Sequence, residues 1–318
     1  MQNILVTGSQ GYVGSQFMNY LAEHKNLFGK MVGLDIRLPQ EHQKITGITY
    51  LKEDIRSENI EKIIGEHEIE VVVHLAAIIS ITGHNSAFFE YDVDVNGSSN
   101  LIHACLKHGV KKFIHSSSGA AYGYWPSNVE TLLTEDMPML GNNDIPYSLH
   151  KYLVEEKLAK VRVDHPNMEQ YVFRVGTILG ATTNNPITDY LKRAKLVCIK
   201  GYPSAFVAIW DQDLVKILFK ATQDGKPGIY NVAGDGAIPS QNLAKILNKP
   251  ADVKPLWLLK LAFRILRPLG LVKYGPESLK FIQYRPVLSN TKLKNEFAYA
   301  PEKSTQEVFE YWSKSLGK

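Results

Sequence analysis

The sequence predicts an α/β protein, a doubly wound parallel sheet with a smaller, mostly helical C-terminal domain. Three observations lead there. Short β-branched runs alternate with helically spaced segments through the first half, residues 71–73 are three consecutive valines, and prolines interrupt the last third. Taken in order, 4–7, 31–34, 49–51, 71–75, 113–116 and 171–175 read as strands. Between them, Phe17, Leu21 and His24, then Leu101, Ala104 and Cys105, recur at helical spacing. Strand and helix alternating in this way imply right-handed crossovers and a sheet covered on both faces, so an all-valine strand needs no polar alternation. The pattern loosens after Gly180: Asn184-Asn185-Pro186 is a loop, 187–197 a candidate helix, 206–209 a lead into a helix through Ala221, and 228–232 another strand. From Asp235 onward the sequence is helix-rich, broken at Pro250, Pro255, Pro268 and Pro276. We therefore expect a first domain over residues 1–176, rejoined by 206–234, and a second over 177–205 and 235–318.

Composition narrows the class. The chain has 318 residues, 44% hydrophobic and 21% charged, which suits a packed globular protein. A net charge of +4 without a basic block argues against nucleic acid. Cys105 and Cys198 form no CxxC pair, so neither a zinc site nor a disulfide scaffold is expected, and a reducing compartment fits. His74, His84, His103, His108 and His115 show no metal-ligand spacing. No run of ~18 apolar residues exists, and the opening Ile4-Leu5-Val6 leads into glycines, unlike a signal peptide. The expectation is a soluble, cytoplasmic protein acting on a small molecule, with no integral membrane segment and no metal.

The first strand runs into Gly8-Ser9-Gln10-Gly11-Tyr12-Val13-Gly14 and then a helix with Phe17, Met18 and Leu21 on one face. Glycine is needed there for a tight turn, for backbone approach to a pyrophosphate and for close helix–strand packing. The helix N-terminus adds free N–H groups and partial positive charge. Asp35, ending the second strand about twenty residues on, is placed to accept hydrogen bonds from the adenosine ribose and to repel a 2′-phosphate. Its alternative is a solvated turn residue. Arg37 softens the preference, which is for NAD over NADP.

The GxxGxxG spacing, Asp35-Ile36-Arg37, Asp54-Ile55 and His74-Leu75-Ala76-Ala77 resemble the extended short-chain dehydrogenases, the NAD-dependent epimerase/dehydratase family. The likeness continues through Val93-Asp94-Val95-Asn96-Gly97, Ser116-Ser117-Ser118, Tyr147-Ser148-Leu149-His150-Lys151 and 228–232, roughly three quarters of the chain. It implies a Rossmann NAD-binding domain, a C-terminal substrate domain and a homodimer. Asp54 and Ile55 would flank the adenine. Leu75, Ala76 and Ala77 would line the cofactor, with Tyr12, Val13, Ser116, Val175, Tyr147 and Lys151 also on its side. It further implies that Asn96 organises the lysine and a water, a helix-surface role being the alternative.

Tyr147 and Lys151, four apart in a helix-forming stretch, share one face. A free tyrosine near pKa ~10 is a poor base at neutral pH, and bringing it to ~7 needs ~4 kcal/mol. One cation at ~5 Å in an effective dielectric of ~20 supplies ~3 kcal/mol. Tyr299 and Lys303 repeat the spacing, but Pro301 between them argues against a helix. Ser118, standing four before Tyr122, is the third member, a donor to the substrate oxygen. Ser116 and Ser117 read as strand-end residues satisfying backbone.

Departures from the family pattern shape the functional reading. The dehydratases' Asp-Glu pair after the catalytic hydroxyl residue is Gly119-Ala120 here. The epimerases' asparagine after the arginine ending the sixth strand is replaced by Thr177, and no cation lies between Gly201 and Phe206 to grip a diphosphate, although Arg193 or Arg285 could substitute. Asp213 in Trp210-Asp211-Gln212-Asp213 reads as a helix N-cap. Leu256–Leu266 is apolar except for Lys260 and Arg264, which with Arg267 make a narrow basic stripe. A packed helix is the plain expectation; a lid over an apolar substrate or a membrane-surface helix is the sharper one, and the hydroxysteroid-dehydrogenase-like branch has similar helices. Three functions follow: an NAD-dependent oxidoreductase interconverting a secondary alcohol and a ketone, which the departures favour; a sugar-nucleotide epimerase; or an inert nucleotide sensor, against which Ser118, Tyr147 and Lys151 speak.

Overall fold

The computed structural model describes residues 1–78, 86–129, 131–271 and 275–316, so His84 lies outside the described residues. The first half alternates as expected: β1 (Gln2–Thr7), α1 (Tyr12–Glu23), β2 (Phe28–Asp35), β3 (Ile48–Lys52), α2 (Asn59–Glu66), β4 (Val71–His74), α3 (Ser86–Tyr91), α4 (Ser98–Lys107), β5 (Lys112–Ser118), β6 (Leu132–Leu133), α5 (Pro146–Asp164) and β7 (Glu169–Val175). The chain then crosses to β8 (Thr177–Leu179), α6 (Pro186–Lys192), β9 (Leu196–Ile199) and β10 (Ala205–Phe206) before β11 (Ala208–Trp210), α7 (Asp211–Gln223) and β12 (Gly228–Val232). The remainder is β13 (Ile238–Pro239), α8 (Ser240–Ile246), β14 (Ala251–Lys254), α9 (Leu256–Leu266), α10 (Lys280–Gln283), β15 (Val287–Leu288), α11 (Thr291–Asn295) and α12 (Thr305–Ser315).

Seven parallel strands in the order β12-β7-β5-β4-β1-β2-β3 form the main sheet, a Rossmann arrangement. Strand β12, following α7, docks on β7, so the chain after the crossover rejoins this sheet. One face is covered by α1 and α7: Phe17, Met18 and Leu21 pack with Leu214, Leu218 and Ala221. Ile60, Ile64, Leu101, Cys105, Val154 and Leu158 from α2, α4 and α5 cover the other. Val71, Val72 and Val73 are fully buried between the layers. A separate core gathers Leu179, Leu191, Leu196, Phe206, Leu243, Phe309 and Trp312.

The second region departs from the reading in four ways. Beside its helices it carries two-stranded pairs, among them β9 with β14 and β10 with β13. Residues 187–197 are not one helix: α6 stops at Lys192 and Leu196–Ile199 turns extended to pair with Ala251–Lys254. Leu293 and Phe297 leave the second region and pack in the first core. Asp213 does not cap α7, whose N-cap is Trp210; its Oδ1 accepts from the Tyr299 hydroxyl at 2.7 Å and the Glu302 N–H at 2.9 Å, tying the C-terminal segment to α7. Tyr299 is thus committed to Asp213, and Lys303 lies over the Trp210 ring at 4.3 Å. Among the described residues no helix is long and apolar enough to cross a membrane, and no group of three metal-ligating side chains comes together.

Candidate active site

The site forms where the C-terminal ends of the sheet strands meet the start of α1. Gly8 follows β1 at φ +72°, a left-handed conformation, and a Cβ there would sit 2.7 Å from the Ala76 nitrogen. Gly11 closes the turn, its N–H bonding the Gly8 carbonyl at 3.0 Å, and serves as N-cap of α1. A side chain on Gly14 would strike the Gly8 carbonyl. The loop is therefore a bare-backbone cradle over a helix N-terminus. Leu75, Ala76 and Ala77 line its other side beyond β4 and are partly exposed. Asp35 is buried at the end of β2, its Oδ2 accepting from Gln10 N–H at 3.0 Å and its Oδ1 from Arg37 N–H at 3.1 Å. Each oxygen keeps a further lone pair. Ile36 is exposed, and the Arg37 guanidinium, largely in solvent, stands 3.8 Å from Asp35.

Farther out, Ile55 is buried and Asp54 is held by Arg56, whose Nε and Nη2 donate at 3.0 and 2.7 Å; that bonding lowers the Asp54 pKa. Val13, in the first turn of α1, packs against the core. The Tyr12 hydroxyl donates to Asp211 Oδ2 at 2.6 Å, joining α1 to α7, and burial followed by that bond pushes the phenol up to about 12.

Strand β5 ends on Ser116 and Ser118, and α5 begins with Pro146 at its first turn, so Tyr147 and Lys151 project toward that strand end. Ser148 fixes the start of α5 by donating to the Ala120 carbonyl at 2.7 Å. Lys151, 6% exposed, donates to the Ser116 carbonyl at 2.9 Å, and its Nζ lies 5.8 Å from the Tyr147 ring centre. The Ser118 oxygen accepts from Ala120 N–H at 3.2 Å. Burial raises the Tyr147 pKa to about 12, with Ser118 opposing and the charge of Asp94 reinforcing. Burial lowers the Lys151 pKa, while Asp94 and Glu155 favour its charged form.

The structure does not bring Asn96 to this cluster. Its side chain is exposed and donates to Asp92 Oδ1 at 2.9 Å. Asp94 turns inward instead: Oδ1 accepts from Ile78 N–H at 2.8 Å and Oδ2 lies 3.0 Å from His150 Nδ1. The reason is local. Residues Asp92–Gly97 form a π-helical turn, whose wider pitch changes which residues face inward. Spacing counted at 3.6 residues per turn misses this, and the only available signal was a carboxylate between buried valine positions. Ser117 points away from the cluster to Glu155 Oε1 at 2.5 Å. Arg174, ending β7, is locked in a buried pair with Glu155 at 2.8 Å and a bond to the Tyr122 hydroxyl at 2.8 Å. Val175 is buried beside it.

A cavity of about 340 Å³ is lined by Asn128, Pro203, Ser204, Tyr284 and Arg285, among others. Arg285 is 9% exposed, sandwiched between Phe206 at 4.0 Å and Phe281 at 4.3 Å. Its Nη2 donates to Thr177 Oγ1 at 3.2 Å, whereas Nη1 has no partner among the described residues. Burial pulls this guanidinium down to about 10. Tyr124 is buried, with its ring 5.2 Å from that of Phe281. The two sequence departures thus meet, Thr177 standing directly against Arg285. Arg285 appeared in the sequence only as one of two substitute cations; its selection over Arg193 required the fold.

A sequence model of the NAD dependent epimerase/dehydratase family matches residues 4–233. The chain belongs to that family, and NAD is its cofactor. An uncharacterised protein of Mycobacterium tuberculosis is 22% identical over 320 residues, covering 99% of this chain and 84% of the relative. A UDP-glucose 4-epimerase of Neisseria meningitidis is 32% identical over 189 residues, 57% of this chain and 54% of that enzyme. Among solved structures, UDP-glucose 4-epimerases of Thermotoga maritima with UDP-glucose (TM-score 0.75, 21% identity) and Thermus thermophilus with NAD (0.76, 20%) each align over 99% of both chains. A dTDP-glucose 4,6-dehydratase of Bacillus anthracis with NAD aligns at TM-score 0.75 and 19% identity, over 100% of this chain and 97% of that one. The geometry suits the family's cofactor: the glycine cradle, which a Cβ would fill, admits a pyrophosphate, and the buried Asp35 carboxylate keeps acceptor capacity for a ribose.

Proposed function

We propose that this epimerase/dehydratase-family enzyme oxidises a secondary alcohol of a phosphate-bearing sugar and re-reduces the ketone on its other face, making it a sugar-nucleotide epimerase. The observation that carries this reading is Arg285, a buried guanidinium that lines a cavity and has one nitrogen unpaired among the described residues. An unpaired buried cation is costly unless an anion completes it. Arg285 would supply the cation that the loop from Gly201 to Phe206 lacks, and a substrate phosphate would pair with it, which displaces the preference for simple net oxidation. The named relatives that act on UDP-glucose agree in kind.

The glycine loop from Gly8 to Gly14 would bind the NAD pyrophosphate and Asp35 the ribose, with Ala76, Ala77 and Val175 along the nicotinamide side. Bound NAD would supply the hydride acceptor and, when oxidised, a positive charge that favours the phenolate. Tyr147 takes the proton of the substrate hydroxyl as its C–H bond breaks. Ser118 donates to the same substrate oxygen and fixes it against the phenol. Lys151, anchored on the Ser116 carbonyl, favours the phenolate; Asp94 acts one step back by keeping Lys151 charged. Gly119 and Ala120 offer no acid–base pair to expel water, so elimination is not part of the cycle.

The test is turnover of UDP-glucose without added NAD, followed by NMR of the sugar. The reading expects inversion at one ring carbon. It expects Arg285→Gln to raise KM by about 10–100-fold, the worth of one charged hydrogen bond, with a smaller change in kcat. Inversion absent, together with NAD-consuming turnover of uncharged alcohols, would return the enzyme to the simple oxidoreductase reading.

A further inference from the structure

Helix α9 breaks the expectation of a packed apolar helix. None of its residues is buried, and Trp257, Leu258, Leu261 and Ile265 are 67%, 38%, 47% and 54% exposed. Leu269 and Leu271 just beyond it are 65% and 68% exposed. At ~100° per residue the eleven positions divide into three strips. Leu256, Leu259, Ala262, Phe263 and Leu266, all partly covered, face the protein. Trp257, Leu258, Leu261 and Ile265 face outward. Lys260 and Arg264, with Arg267 just past the helix end, fall along one seam between the two.

Between residues 253 and 271 the sequence holds Lys254, Lys260, Arg264 and Arg267 and no carboxylate. Lys254 pairs with Asp252 at 2.9 Å and Arg267 with Glu277 at 3.1 Å. Lys260 and Arg264 are exposed and have no ion-pair partner among the described residues. A tryptophan-bearing apolar strip edged by free cations matches an anionic bilayer surface, with the strip among the upper acyl chains and the cations at phosphate level. A self-association face would instead need carboxylates to neutralise Lys260 and Arg264, and among the described residues none pairs with either. At 11 residues the helix spans about 16 Å, too short to cross.

We propose that α9 is a membrane-docking helix that holds this enzyme peripherally on anionic lipid surfaces. The experiment is co-sedimentation of the full chain with phosphatidylcholine vesicles, with and without phosphatidylglycerol. The proposal expects binding only with phosphatidylglycerol, weakened by salt, with a blue shift of tryptophan emission that Trp257→Phe removes. Lys260→Gln with Arg264→Gln should weaken binding about fivefold per charge, since each surface cation contributes ~1 kcal/mol. Leu261→Asp with Ile265→Asp should abolish it while leaving the melting temperature near that of the parent, as these side chains already face solvent. Absence of vesicle binding, binding equal on both lipids, or unchanged binding in these variants overturns the proposal. So does loss of a dimer in the leucine and isoleucine variant without vesicle binding by the parent, which would make the face a contact between two copies.

Discussion

Burial acts on both members of the Tyr147–Lys151 pair, raising the phenol to about 12 and lowering the ammonium. A neutral-pH base therefore depends on charge placed beside the phenol. Lys151 Nζ stands 5.8 Å from the Tyr147 ring centre, and one cation at ~5 Å in an effective dielectric of ~20 favours phenolate by ~3 kcal/mol, about two pH units. Removing the cation disfavours the charged form, so the ionisation shifts upward. We expect the pH profile of kcat/KM for Lys151→Met to move its inflection about two units more alkaline, with turnover at neutral pH falling about 100-fold. An unmoved inflection with reduced amplitude would make Lys151 a packing residue. The pair was legible from sequence because four residues in a helix fix a shared face whatever else surrounds them. Asp94 was not, because a π-turn changes facing without leaving a trace in composition.

At the scale of elements, β4 and β5 carry a second titratable feature. His74 and His115 stand side by side in register, rings stacked at 5.3 Å. His74 bridges the Thr7 hydroxyl at 2.7 Å and the Ser98 hydroxyl at 2.9 Å. Burial, reinforced by the Lys151 charge, lowers its pKa from 6.5 to about 3. Between those values the unfolded chain binds a proton that the native one does not, so stability falls as pH drops through that window. The slope is up to ~1.4 kcal/mol per pH unit for one such group. Urea unfolding of His74→Asn should show a shallower loss of stability from pH 6.5 toward acid than the parent, whatever its absolute stability. An identical slope would mean that His74 charges freely in the native state. Strands of this kind were readable because consecutive valines have one comfortable place, inside a covered parallel sheet. Helix α9 was less so, since apolar spacing looks the same whether the far side meets protein or solvent. The break of α6 before Leu196 also escaped, because pairing with residues fifty-odd positions away overrides local helical spacing.

Across the whole molecule, two cores are joined by a chain that crosses between them repeatedly. The sheet core, the glycine cradle and the serine–tyrosine–lysine cluster depend on residues close in sequence, and those parts were recoverable from pattern. The substrate side depends on long-range meetings: Thr177 with Arg285, Tyr12 with Asp211, and Leu293 and Phe297 with the sheet core. No periodicity encodes these. The meeting of Thr177 with Arg285 is the one that supports an anionic sugar as substrate. The central claim is that one phenol, Tyr147, transfers the substrate proton beside NAD bound on the glycine cradle. Its most direct test is Tyr147→Phe, assayed for both NAD affinity and turnover of the substrate identified by the epimerisation assay. The account predicts NAD affinity within a few-fold of the parent and turnover lower by about 10²–10⁴, the usual contribution of general acid–base catalysis. Turnover equal to the parent, with NAD still bound, would contradict it.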